Sequence, residues 1–357
     1  MRRVLTIVAL FALLGIGVQV LRLLWLAGAF RRIHPHAAGT CRLVAGPVGP
    51  EDITIHPRTG IAYVSASDRR ALRSGRAVPG AIWAYDLGTP DTPPVNLTPS
   101  ADARFQPQGL SLWAGADGRD VLFVVNHPAG GDTPAAYAVE IFDLTENGLL
   151  HRATLTDPLL MMPNDLVAVG LDRFYVTNSH AHPPGRLQTI ETYLRLADAQ
   201  VLFYGPGGFR PALTDLVFPN GINVSPDGKT LYVASTTGRS VRVYARDPAS
   251  ETLTFRRDIP LGSGPDNIEV AADGALWIAA HPKLLRVEAH GADPSTPSPS
   301  QVLRVVPATG EVDEVYLDDG TALSASSAAA VRGNRLLIGA IFDDGFLDCT
   351  LAGDASP

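Results

Sequence analysis

The stretch Pro163-Asn164-Asp165-Leu166-Val167-Ala168-Val169-Gly170, followed by Arg173-Phe174-Tyr175-Val176-Thr177-Asn178, decides how this chain folds. A polar pair opens a short apolar run, a turn follows, and a second apolar run begins. The pattern recurs along the chain. Glu51-Asp52, Gln108-Gly109, Asn220-Gly221, Asp266-Asn267 and Ser326-Ser327 each open a similar pair of runs, so there are six copies starting at 51, 108, 164, 220, 266 and 326. Strand-only repeats at such a spacing are the signature of a β-propeller, which predicts six blades. In each blade the innermost strand starts at the polar pair, so six such strands would bring those side chains around one axis. Glu51, Asn164, Asn220, Asp266 and Asn267 then make a ring of oxygen donors without cysteine, the donor set of a hard cation and above all of calcium. A single pair of this kind is an ordinary strand-cap or turn signal. Its repetition in register is what points to a shared ligand.

The whole chain fits this reading. Its 357 residues carry a net charge of −7, so no basic surface is available for nucleic acid, and 46% apolar residues suffice for a large core. The repeats run without a break, giving one propeller domain over residues 51–357, preceded by a lead-in and ring-closing strand over 33–50 and by a hydrophobic segment over 1–32. A ring must close by pairing its first strand with its last blade. Arg42-Leu43-Val44 is the expected closing strand, and Cys41 and Cys349, flanking the repeats, are expected to form a disulfide across the closure, which implies an oxidising compartment. In the chain-entropy picture a loop of this length contributes at most roughly 5–6 kcal/mol.

Arg2 and Arg3 precede 18 uncharged, mostly apolar residues from Val4 to Leu21. As a helix these span about 27 Å, close to a bilayer core of about 30 Å. The segment therefore reads as an uncleaved signal-anchor with the propeller on the extracytoplasmic or lumenal side, although Ala27-Gly28-Ala29 has the form of a cleavage site, which would make the protein secreted. Ser67 to Gly80 is a polar, Arg-rich stretch read as solvated loop, residues 129–137 as a Gly/Pro loop, and Pro294 to Ser300 as an exposed hairpin loop. Leu187, Ile190 and Leu194 mark a short amphipathic helix within Gly185–Gln200, either a lid over the mouth of the ring, touching a membrane, or a helix packed on a blade edge. His180 and His182 just before it are candidate metal ligands. Asn96-Leu97-Thr98 is a glycosylation acceptor pattern in a surface loop, whereas Asn223-Val224-Ser225 lies on an inner strand.

Glu51-Asp52, Val125-Asn126-His127-Pro128, Asn164-Asp165-Leu166-Val167-Ala168-Val169-Gly170, Asn220 to Gly228, Asp266-Asn267-Ile268 and His281-Pro282 together resemble the serum paraoxonase/arylesterase family. The resemblance covers nearly the whole chain and implies a six-bladed propeller with two calcium ions in its central tunnel, hydrolysing lactones and aryl esters. It implies a catalytic calcium held by Glu51, Asn164, Asn220, Asp266 and Asn267, and a structural one held by Asp52, Asp165 and the backbone carbonyl of Leu110. It also implies a base at His127. The chain departs from the family at Gln108, where a histidine is expected. A carboxamide accepts no proton at neutral pH, so the base falls to His127 alone or to a carboxylate of the calcium site such as Asp266 or Glu51. The expected function is a calcium-dependent ester or lactone hydrolase. The alternatives are a calcium-stabilised scaffold without catalysis, or a related gluconolactonase-like or strictosidine-synthase-like enzyme. Nothing in the sequence fixes the oligomeric state.

Overall fold

The computed structural model describes residues 2–129 and 137–352. Most of the loop anticipated over 129–137 lies outside the described residues, as does Met1. The strands assemble into six antiparallel sheets in blade order, and the chain is a six-bladed β-propeller. The innermost strands are Pro50–Ile55, Pro107–Ala114, Pro163–Gly170, Pro219–Val224, Gly264–Val270 and Ser326–Arg332. Four open on proline and the fifth carries Pro265 as its second residue. Proline is tolerated there because the first residue of a strand need not donate to the ladder.

One irregularity repeats in every blade. The pairing register of the innermost strand slips between Pro50 and Asp52, Pro107 and Leu110, Pro163 and Leu166, Pro219 and Ile222, Pro265 and Ile268, and Ser326 and Ala329. The skipped residues are the polar pairs themselves in four blades, Glu51 alone in blade one, where Asp52 still faces Ser65, and Ser327 with Ala328 in blade six. A bulge leaves residues unpaired and re-aims their side chains. Six bulges at one height therefore release the pairs from the ladder and turn them inward.

Six apolar clusters fill the joints, each shared by two adjacent blades. Tyr63 and Ile82 of blade one meet Leu122 and Val124 of blade two, and Ile53 and Val64 meet Ala330 and Phe346 of blade six. The same arrangement joins the remaining neighbours. The ring closes as anticipated: Gly39–Val48 pairs antiparallel with Asp344–Leu351, Cys41 lies directly opposite Cys349, and the two form a disulfide. A two-residue strand, His36–Ala37, continues onto the outer edge of blade five.

Among the described residues four helices decorate this ring: α1 (Arg2–Leu26), α2 (Arg69–Arg73), α3 (Arg186–Leu194) and α4 (Leu284–Ala292). Two sequence expectations are corrected here. The stretch from Ser67 to Gly80 is not merely solvated loop, because Asp68 caps α2 through its side chain at 2.8 Å from the Ala71 amide, and Arg69 and Arg70 turn inward. Arg70 donates to the Phe342 carbonyl at 2.8 Å and lies 2.8 Å from Nε2 of His290 on α4. Pro294–Ser300 is exposed only in its first part: Pro294, Ser295 and Pro297 are exposed as expected, whereas Ser298 and Ser300 are fully buried, Ser300 donating to the Leu323 carbonyl at 2.7 Å.

The amphipathic helix is present as α3, but its apolar stripe points outward. Leu187, Ile190 and Leu194 are exposed, whereas Glu191 is buried and accepts the Ala181 amide at 3.0 Å. That orientation speaks against a helix packed by its apolar face on a blade edge. Most of the described α1 side chains are exposed as well. Among the described residues no helix is long and apolar enough to cross a membrane, and several α1 side chains lie outside them.

Candidate active site

Where the innermost strands begin, a cavity of about 480 Å³ is floored by Glu51, Gln108, Asn164, Asn220, Asp266 and His281. Five of these six were singled out from the sequence, and five different blades supply them. The rim is apolar. Leu23 and Leu24 of α1, Tyr193 of α3 and Leu284 of α4 line it, together with Phe218. A volume of this size, apolar walls and a few convergent polar groups are the anatomy of a small-molecule site.

The floor has an unusual hydrogen-bond deficit. Glu51 Oε2, Asn164 Oδ1, Asn220 Oδ1 and Asn267 Oδ1 are buried and have no partner among the described residues. Burying an acceptor without a partner costs about 1–3 kcal/mol, so four in one place require an explanation. Asn267 joins the group by donating Nδ2 to Glu51 Oε1 at 3.3 Å. These are oxygens only, mostly neutral carboxamides with one or two carboxylates, and they fit a hard cation such as calcium. Among the described residues no three His, Cys, Asp or Glu side chains gather as a metal cluster, because carboxamides supply most of the donors here.

Electrostatics agree with the hydrogen-bond pattern. Burial pushes Glu51 up to about 8, with Asp266 and Asp52 adding repulsion and Arg69 opposing the shift. Burial likewise raises Asp52 to about 7 and lifts Asp165 and Glu269 well above the usual carboxylate range. Carboxyl groups so placed ionise readily only beside a positive charge.

Asp52 and Asp165 share a second role. Asp52 accepts the Ile53 amide of its own strand and the Leu110 amide of blade two, both at 2.8 Å. Asp165 accepts Leu166 at 2.7 Å and Ile222 of blade four at 2.8 Å. Each carboxylate thus clasps two blades. The close approach that permits this needs glycine: a Cβ on Gly109 would lie 2.5 Å from Asp165 Cα, and one on Gly221 would lie 2.4 Å from the Asp266 carbonyl.

The two strand-end histidines differ. His281 Nε2 lies 2.9 Å from Asp266 Oδ2, while its buried Nδ1 has no partner. His127 is not among the cavity-lining residues. Its Nε2 lies 2.5 Å from the Pro163 carbonyl, its ring packs on Tyr137 at 4.7 Å, and burial lowers it to about 4. His180 and His182 anchor α3 instead of approaching the floor, His180 to Thr192 at 2.8 Å and His182 to Glu191 at 3.1 Å.

Sequence reading passed over three groups. His281 was noted only as a strand-end His-Pro. Glu269 shares the strand face of Asn267 two residues earlier, a period-2 signal that could have found it. Arg69 sat in what looked like a solvated loop, and nothing in the sequence marked it.

Comparison with known proteins now adds to this geometry. The arylesterase family model matches residues 33–351. Human serum paraoxonase/arylesterase 1 is 35% identical over 327 residues, covering 88% of this chain and 90% of that protein. Rat serum paraoxonase/arylesterase 2 is 35% identical over 348 residues, covering 93% and 96%. Among solved structures, a gluconolactonase from Xanthomonas campestris superposes with a TM-score of 0.54 at 18% identity, covering 90% of this chain and 94% of its own. The calcium-binding regucalcin from Agrobacterium tumefaciens superposes at 0.52 with 14% identity, covering 90% and 96%. At those identities the two structures speak for the fold alone. The family match over most of the chain and the 35% identity to its members establish that this chain belongs to the arylesterase family.

Proposed function

We propose that the protein is a calcium-dependent hydrolase of lactones or aryl esters acting in the cavity at the tunnel mouth. Family membership supports a hydrolase of esters or lactones, and the names of the paraoxonase/arylesterase relatives point the same way. The single observation that carries calcium is the set of four unpartnered oxygens on Glu51, Asn164, Asn220 and Asn267. With Asp266 these residues would hold the ion. Calcium, when bound, would polarise the ester carbonyl and offset the charge that grows on its oxygen. A second ion at Asp52, Asp165 and the Leu110 carbonyl would reinforce the blade clasps already made there.

The chain's own groups do the rest. The apolar rim admits an ester or lactone and excludes water from all but the floor. His281 is the favoured proton acceptor. If its Nε2–H donates to Asp266, the lone pair of the neutral ring sits on Nδ1, the atom without a partner. His127 is a poorer candidate because it does not line the cavity. The exposed apolar faces of α1 and α3 support attachment to a membrane beside the cavity mouth, with the propeller on the extracytoplasmic side or secreted.

The test is a panel of lactones and aryl esters assayed with calcium and with chelator. Absence of chelator-sensitive turnover defeats the enzymatic reading and leaves a calcium-stabilised scaffold if chelation still lowers the melting temperature. Asn164→Ala and Asp266→Ala should abolish turnover. His281→Gln should lower kcat by about 10²–10⁴-fold, the usual share of a general base. A larger loss in His127→Gln than in His281→Gln would move the base to His127.

A further inference from the structure

The structure ties Gln108 to a half-buried arginine. Arg69 Nη2 donates to Gln108 Oε1 at 3.0 Å. The guanidinium is itself held in place by the carbonyls of Gly49, Ser67 and Ile341, with Nη1 at 3.1, 3.4 and 3.3 Å. No carboxylate forms an ion pair with it among the described residues, although Glu51 and Asp266 act on it at longer range. Arginine has only N–H donors, so the carboxamide must present its oxygen to Arg69 and turn its NH₂ away. That NH₂ has no acceptor among the described residues, and Gln108 lines the cavity beside Glu51, Asn164 and Asp266. The site thus sets a carboxamide NH₂, its oxygen already claimed by Arg69, beside four buried acceptors that lack a partner among the described residues.

We propose that Gln108 is a hydrogen-bond donor to the substrate carbonyl oxygen as that oxygen takes up charge, and that Arg69 is the positioning residue that fixes its orientation. The inference rests on the hydrolase reading above. In the step concerned, water oxygen bonds to the carbonyl carbon while the π pair moves onto the carbonyl oxygen. Gln108 donates a hydrogen bond to that oxygen and transfers no proton. The nearby cation also withdraws density through the carboxamide, which makes its N–H a stronger donor. A carboxamide takes up no proton at neutral pH, so the proton released by the attacking water passes to His281, the acceptor proposed above.

Gln108→Leu and Gln108→Glu remove the N–H, the second while keeping an acceptor for Arg69. Both should lower kcat by about 10²–10³-fold, the usual effect of removing one such donor, with KM changed little. Calorimetric affinity of Gln108→Leu for a phosphonate transition-state analogue should fall in parallel, while the rise in melting temperature on adding calcium is kept. Arg69→Met should lower kcat on the wild-type background yet add nothing on Gln108→Leu, and Arg69→Lys should recover most of the loss. Unchanged kcat and analogue affinity in Gln108→Leu, or losses in the two variants that simply add, would overturn the inference. A wild-type protein without chelator-sensitive turnover fails earlier and overturns the hydrolase reading with it.

Discussion

Asn220→Ala should change the sign of its effect with calcium. Asn220 is 5% exposed, its Oδ1 has no partner, and its side chain makes no hydrogen bond among the described residues. In chelator, the carboxamide is a buried polar group whose unmet acceptor costs about 1–3 kcal/mol. Removing it relieves that cost and leaves a small gap worth about 1 kcal/mol in the other direction. The chelated variant should therefore match the wild type to within about 1 kcal/mol or exceed it. In saturating calcium the same variant loses a ligand, and each tenfold loss of affinity removes about 1.4 kcal/mol of ligand-linked stability. Thermal unfolding of both proteins, with calcium and with chelator, reads this out. In chelator the variant should melt with or above the wild type, and in calcium it should melt several degrees below it. An equal destabilisation under both conditions would falsify the assignment, because Asn220 would then be serving the fold and not an ion.

Proton linkage offers a second test. In the cation-free protein Glu51 and Asp52 titrate near 8 and 7, against 4.5 and 3.8 when free, because burial disfavours their charge. Groups raised in the folded state stabilise it fully below about pH 4 and lose that contribution as pH rises through 7 to 8. The melting temperature of chelated protein should consequently fall between pH 5.5 and 8.5 while the calcium-loaded form changes less, and a gap that stays constant contradicts this. Gly221→Ala places a Cβ against backbone that cannot yield, so about 1–3 kcal/mol of stability and about 10²-fold in kcat should be lost, checked by unfolding and kinetics together. Replacing Cys41 and Cys349 by serine should cost about 2–5 kcal/mol while leaving a folded ring, since the two strands stay paired from Gly39 to Val44. A variant that no longer folds at all would show that the ladder alone cannot close the ring.

Much of the fold was legible because its determinants are local and repeated. Each polar pair opens a short, mostly buried strand, and the same words recur six times, so blade number and strand starts could be read directly. The donors Glu51, Asn164, Asn220, Asp266 and Asn267 followed from the repeat. What could not be read depends on contacts between distant segments. Arg69 becomes a site residue only because Gly49, Ile341 and Gln108 surround it, which no local pattern encodes. The stripe on α3 was visible, yet which way it faced depended on Glu191 finding the Ala181 amide. The bulges were invisible too. Nothing in Pro-Asn-Asp announces that two residues leave the ladder, although proline at the strand start is consistent with it.

Blade six is woven from the two ends of the described chain, Gly39–Val48 and Asp344–Leu351. During synthesis the earlier of these strands must wait, edge exposed, until some three hundred further residues have left the ribosome. Five blades can form in order as they emerge, but the sixth is a terminal event, and contacts of such long range form slowly. A premature stop anywhere before Asp344 would leave an open arc with a naked sheet edge at blade six, a species prone to pair with its neighbours. For this chain the eight residues of Asp344–Leu351 therefore decide whether a finished toroid or an aggregating intermediate leaves the folding compartment.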